Sequence, residues 1–217
     1  GRRAPARTAA PHPSRLSVLS RHDLDRLDAA ALDVLAETGV ALPCERARAA
    51  LVAQGATADG ARITFPPALV RRLVAGAPAR MTLGARSAPP LVTGERSLIT
   101  TDGCCVEIYD LADGEKRATT SEDVATISRV VDALPEIDFC WPAVSALDAP
   151  AEVRGLHELY LALANTGKHV QTVTVVEPDL AEAAVRMALA VSGSAERLRA
   201  EPPVAALLGT VTPLAND

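Results

Sequence analysis

Four apolar, strand-like runs recur along the later part of the chain: Leu98–Thr101, Ile137–Ser145, His169–Val176 and Val204–Leu214. Helix-like segments separate them at similar spacing. A β-then-α step repeated in this way predicts parallel strands joined by crossover helices. After the fourth run the sequence reads Thr212-Pro213-Leu214-Ala215-Asn216-Asp217, with no fourth helix. The expected fold class is therefore α/β, holding about the first four βα units of an eightfold barrel. Such a half-barrel leaves two unpaired strand edges and an exposed inner face, which favour self-association. On this reading the catalytic residues lie beyond Asp217.

Composition narrows the function classes. The chain has 217 residues, 48% of them hydrophobic, enough to bury a sizeable core. A net charge of −5 offers no basic patch for nucleic acid. Arg2, Arg3 and Arg7 sit in a Pro/Ala-rich tail, residues 1–15, that is expected to be disordered. No run approaches the roughly 18 apolar residues of a membrane helix. The cysteines are Cys44, Cys104, Cys105 and Cys140; none is spaced as C-x-x-C, and no histidine completes a zinc pattern. They read as reduced thiols of a cytoplasmic protein, with no metal site.

Residues 16–97 read as a mainly helical N-terminal extension packed against the barrel, and residues 98–217 as the half-barrel itself. From Leu16 to Thr38 the apolar residues keep helical spacing, with Ser20 as N-cap and Asp23 three residues on. Gly39 closes that helix. Cys44–Gln54 and Pro67–Ala75 are two further helices, and Asp59-Gly60 marks a small hairpin between them. Met81–Leu83 and Leu91–Val92 read as short strands. Asp113-Gly114 divides Cys104–Asp110 from Glu115–Thr119, so a hairpin is expected after the first barrel strand. Thr120 with Asp123 opens the next helix, which Pro135 ends. Further helices are expected over Ala151–Ala164 and Leu180–Val191.

In an eightfold βα barrel the active site lies at the C-terminal ends of the strands. That rule nominates Thr101, Asp102 and Gly103 after strand one, Ser145 and Asp148 after strand two, Thr174 and Glu177 after strand three, and Thr210 and Thr212 after strand four. Lys168 and His169 fall at the opposite end and read as structural. None of the histidines has a serine or cysteine partner arranged for nucleophilic catalysis. No glycine-rich phosphate loop is present.

The order of several short motifs carries a resemblance. Ile108-Tyr109-Asp110, Gly114, Arg117, Thr119 and Asp123 are followed by Asn165-Thr166-Gly167-Lys168-His169 and then by Thr212-Pro213-Leu214. Upstream stand Leu35–Gly39-Val40, Gly55-Ala56, Arg62-Ile63, Phe65-Pro66 and Ala77-Pro78. From about Leu16 onward the sequence resembles the trimethylamine–corrinoid methyltransferase family. The resemblance implies a TIM barrel preceded by N-terminal helices. It implies transfer of a methyl group from a tertiary or quaternary amine, such as trimethylamine or a betaine, to the cobalt of a cognate corrinoid protein. The cobalamin is then carried by that partner and not bound directly, and the full-length enzyme is expected to be a homo-oligomer. Some members use pyrrolysine, at a position in the second half of the barrel.

Such a reaction needs a bulky cation held in line with the cobalt. Carboxylates or aromatic faces would hold it. The substrate-binding candidates are therefore Asp102, Tyr109, Trp141, Glu177 and Thr212. At most one of Phe139 and Trp141 is expected to point into the barrel, and Tyr109 is placed on the hairpin. A non-catalytic ligand-binding or assembly remnant and a different TIM-barrel methyltransferase are the alternatives.

Overall fold

The computed structural model describes residues 17–172, 177–207 and 214. The chain divides into two compact units, Gly1–Pro78 with Gly209–Asp217, and Ala79–Leu208.

In the first unit, α1 (Arg21–Asp33) runs on into a wider π-helical turn at Val34–Thr38. Its start follows from local chemistry. The Ser20 hydroxyl accepts from the Asp23 N–H while the Asp23 carboxylate accepts from the Ser20 N–H, a reciprocal capping box. Strand β1 (Val40–Ala41), helix α2 (Glu45–Val52), strands β2 (Thr57–Asp59) and β3 (Arg62–Thr64), and helix α3 (Pro67–Gly76) follow. The Asp59-Gly60 hairpin forms, and β1 joins it as a third antiparallel strand, in the order β1-β3-β2. Gly39 makes that addition possible: its φ is +65°, and a Cβ there would strike the Ile63 carbonyl. Val40, Ala56, Ile63 and Leu69 form the core of the unit.

The second unit opens with an antiparallel pair, β4 (Thr82–Leu83) and β5 (Leu91–Val92). The expected hairpin follows as β6 (Glu107–Tyr109) and β7 (Lys116–Ala118), in the register Ile108–Arg117. Then come α4 (Ser121–Ala133), α5 (Arg154–Asn165), β8 (Val170–Thr172), α6 (Pro178–Ser192), α7 (Ala195–Ala200) and β9 (Val204–Ala206). Four extended segments pair in parallel, in sequence order. Thr100 bridges Phe139, Cys140 bridges Val170, and β8 pairs with β9 from Val170–Val204 to Thr172–Ala206. The unit is thus a mixed α/β layer with helices between parallel segments. No closed barrel forms among the described residues.

The second segment differs from expectation. Ile137–Ser145 is not one strand: it touches its neighbours at Phe139, Cys140 and Val144 and breaks between them. Pro142 has no N–H to give to a ladder. The first segment breaks opposite it, so that Thr100 and Cys105 pair with the second segment while Asp102–Cys104 loop out. Helix α5 starts three residues later than the sequence implies, after a turn at 151–153. Expected strand residues 173–176 and 208–213 lie outside the described residues.

Helices α4, α5 and α6 cover one face of the parallel segments. Val131, Leu159, Ala162, Leu163 and Ala184 meet Cys140 and Val170 there. Because extended residues alternate sides, Phe139, Trp141 and His169 share the opposite face. Phe139 and His169 meet edge to face at 6.0 Å. The expectation that at most one of Phe139 and Trp141 points inward is corrected: two residues apart on extended backbone, both take the side away from the helices.

Local charge fixes the entry to α4. Asp123 accepts from the Thr120 N–H at 2.8 Å and receives both terminal Arg117 nitrogens at 2.7 and 2.8 Å. Arg117, and then Thr120, hold the Asp123 carboxyl well below the ordinary carboxylate range. A folded-state depression gives stability that is present above the unfolded value, about 3.9, and lost as the pH falls. Asp123→Asn should therefore cost about 1–2 kcal/mol at pH 7. In urea titrations at a series of pH values the gap from the parent protein should narrow below about pH 4. A gap independent of pH would mean that the ion pair contributes nothing.

Candidate functional site

The C-terminal ends of the parallel segments gather three groups of polar residues. The first is built from the two facing breaks. Thr101 Oγ1 donates to the Trp141 carbonyl at 2.5 Å and accepts the Trp141 N–H at 3.1 Å, which anchors the Trp141 backbone. The Asp102–Cys104 loop then crosses the indole. A Cβ at Gly103 would strike the Pro142 carbonyl and the Cδ1–Nε1 edge of the Trp141 ring, so only glycine fits. Cys104 takes φ +76°, a conformation that non-glycine residues rarely adopt. Asp102 is exposed, and its carboxylate accepts the Gly103 N–H at 2.8 Å. The Trp141 indole N–H is buried and has no hydrogen-bond partner.

The second group is the loop after the second segment, which α5 holds from below. Glu158 is 5% exposed, and its Oε1 accepts the Ala146 N–H at 2.8 Å. Arg154 donates to the carbonyls of Ala146 and Ala149 at 3.1 and 3.2 Å. Burial pushes the Glu158 carboxyl above its ordinary value, while the Ala146 hydrogen bond and the Arg154 charge pull it back. Thr119 Oγ1 donates to the Ser145 carbonyl at 2.6 Å. Asp148 accepts from the Ser121 N–H and hydroxyl at 2.7 and 2.9 Å. Burial would raise the Asp148 carboxyl, but these bonds outweigh it and hold it low.

His157 Nε2 lies 3.0 Å from Ser121 Oγ, a serine partner that the sequence did not reveal. Asp148 contacts the serine, and no contact orders Asp, His and Ser as in a nucleophilic triad. The arrangement braces the start of α4.

The third group lies at the start of α6. Glu177 occupies the N-cap position without a side-chain cap bond, and Pro178 follows at the first helical position. Glu177, Glu152 and Asp179, with Pro178 and Leu180, line an open depression of about 420 Å³. Three carboxylates around one opening suit a cation. Thus Asp102 and Trp141 meet through Gly103, whereas Glu177 belongs to the depression. Tyr109 stands exposed on β6, and Thr212 lies outside the described residues. Among the described residues no group of three or more His, Cys, Asp or Glu side chains is placed to hold a metal ion. All four cysteines are free thiols; burial pushes the buried Cys140 up to about 11 and raises Cys104 less.

Glu152, Arg154, Glu158 and Asp179 are the site residues that sequence reasoning missed; Gly103 was nominated with Asp102 at the end of strand one. Arg154 and Glu158, four apart at a helix start, carried a weak signal.

The opposite end of the segments is structural. His169, 2% exposed, donates through Nδ1 to the Gly84 carbonyl at 2.8 Å, and burial lowers its imidazole toward the neutral form. Arg96 forks onto Asp138, which also accepts the Ile99 N–H at 2.8 Å. No helix among the described residues is long and apolar enough to cross a membrane.

The chain is 28% identical over 203 residues to a trimethylamine methyltransferase of Desulfitobacterium hafniense strain DSM 10664 / DCB-2, covering 92% of this chain and 41% of that protein. It is 24% identical over 206 residues to a glycine betaine methyltransferase of Desulfitobacterium hafniense strain Y51, covering 94% of this chain and 43% of that one. The chain thus spans about two fifths of the length of either relative. The family model of trimethylamine methyltransferases matches residues 2–217. That match spans nearly the whole chain, and the chain belongs to the trimethylamine methyltransferase (MTTB) family.

Proposed function

We propose that this chain belongs to an enzyme that takes a methyl group from a tertiary or quaternary amine and delivers it to the cobalt of a corrinoid held by a separate protein. The family match over residues 2–217 carries this reading. On the same reading the four parallel segments are the first four strands of an eightfold barrel, and the protein works in the cytoplasm.

Methyl transfer from an ammonium centre is displacement at carbon, and the amine leaves with the electron pair of the broken C–N bond. The polypeptide has to orient the cation and keep competing nucleophiles away. Carboxylates at the strand ends would orient the cation, with Asp102 beside Trp141 and with Glu152, Glu177 and Asp179 around the depression. The corrinoid supplies the methyl acceptor as a second substrate.

Isothermal calorimetry on the intact natural protein tests whether the cation is bound. Saturable heats are expected with trimethylamine or glycine betaine and not with their fully demethylated counterparts, ammonia and glycine. Failure of every methylated amine to bind would contradict the proposal.

A further inference from the structure

Cys104 and Cys105 are neighbours in sequence and both are exposed free thiols. They stand where the first parallel segment loops out and rejoins the second. On a regular strand two adjacent side chains point to opposite faces. That alternation does not hold here, because Cys104 takes φ +76°, outside the extended region. The charges around it point the same way. Partial burial raises the Cys104 thiol, and the negative charges of Glu158, Asp102 and a Cys105 thiolate raise it further. A thiolate at Cys104 is thus disfavoured, whereas a disulfide carries no charge.

We propose that Cys104 and Cys105 form a redox-modification site, closing a reversible disulfide between adjacent residues that resets the loop lying on Trp141. Two S–H bonds break and one S–S bond forms. The two protons and two electrons pass to a low-molecular-weight disulfide such as glutathione disulfide, which leaves as two thiols. The first exchange gives a mixed disulfide at one cysteine, and the neighbouring sulfur then displaces the second thiol. Sequence adjacency keeps the two sulfurs together whatever surrounds them. Adjacent Cα atoms lie about 3.8 Å apart across a trans peptide, short of the roughly 4.4–6.8 Å that ordinary disulfides span. The closed ring is therefore strained and easily reduced, which suits a switch and not a structural bridge.

The backbone decides which residue moves. Cys105 is held: its N–H donates to the Ala143 carbonyl at 3.1 Å, its carbonyl accepts the Ser145 N–H at 2.9 Å, and it bridges Val144. On the other side of the loop, Thr101 Oγ1 bonds both the carbonyl and the N–H of Trp141. Between these anchors Cys104 sits in a conformation that is costly for any residue but glycine, so it is the one that gives way on ring closure. Gly103 moves with it, and Gly103 lies against the Pro142 carbonyl and the Cδ1–Nε1 edge of the Trp141 ring. Oxidation of the thiols is thereby transmitted to the indole.

Differential alkylation of the intact natural protein tests this, and no readout depends on which amine the protein binds. The protein is equilibrated with glutathione and glutathione disulfide at a series of ratios, quenched in acid and alkylated. The tryptic peptide Ser97–Lys116, which holds no other cysteine, is then weighed. As the disulfide fraction rises, that peptide should pass from two alkyl groups to none, two hydrogens lighter than the dithiol, and dithiothreitol should restore it. Cys105→Ser should stop at a mixed disulfide between Cys104 and glutathione. In ¹⁵N-labelled protein the Trp141 indole resonance, identified by its loss in Trp141→Phe, should shift in step with the thiols and return on reduction. Two alkylated thiols at every ratio would overturn the proposal. So would a mixed disulfide that persists in the parent protein, a bond from either cysteine to any other, or a closed pair that leaves the indole resonance unmoved.

Discussion

Replacing Lys168 with methionine should lower the stability of the protein by about 2–4 kcal/mol. Lys168 Nζ donates to three carbonyls, those of Val131, Leu134 and Ile137, at 2.6, 2.7 and 2.7 Å. The first two belong to the last turn of α4 and its C-cap, whose carbonyls have no partner within the helix. The third opens the segment that leads to Phe139. One ammonium thus closes the helix end, meets the negative end of its dipole and ties the helix to the following strand. Methionine keeps the apolar stem and loses all three bonds. Urea denaturation should show a lower midpoint at unchanged slope, and Lys168→Arg should recover part of the loss. A cost below about 0.5 kcal/mol would mean that water satisfies the carbonyls as well as the lysine does.

Leu159→Ala should cost about 2–5 kcal/mol. Leu159 is 1% exposed and packs against Val131, Cys140, Ala162, Leu163 and Val170, at the point where α4, α5 and β8 converge. Truncation removes three carbon atoms from the centre of that cluster, and atoms from three separate elements would have to move to fill the space. Amide hydrogen exchange should rise across α5 and β8 and stay near its original level in β1–β3, whose core is the separate cluster around Ile63. A uniform rise in both units would show that their stabilities are tied together more closely than their cores are.

What the sequence made legible was local or periodic. The Ser20–Asp23 and Thr120–Asp123 boxes, the Asp59-Gly60 and Asp113-Gly114 turns and the order of parallel segments all follow from short-range chemistry or from the repeat. The structural role of Lys168 and His169 followed from their place at the start of a strand. Less was legible where two distant segments set each other's shape. Pro142 announces a break, but only the facing loop at Asp102–Cys104 turns it into a paired interruption. The contact between Gly103 and the Trp141 ring depends on that pairing. Glu158 reads as one more polar helix residue until the loop above it presents an unpaired Ala146 N–H.

The candidate site divides in the same way. Asp102 and Glu177 were nominated by their positions at strand ends, and Trp141 as an aromatic face for the cation. Their grouping, with Gly103 joining the first two and Glu152 and Asp179 joining the third, arises from tertiary packing.

Methyl transfer itself is the decisive measurement. The intact natural protein is mixed with a reduced corrinoid protein and either glycine betaine or trimethylamine. The corrinoid spectrum and the amine products are then followed together. One amine should lose one methyl group for each corrinoid methylated, with no change when the protein is left out. An amine that binds tightly but keeps all its methyl groups, with the corrinoid held reduced throughout, would contradict the proposed function.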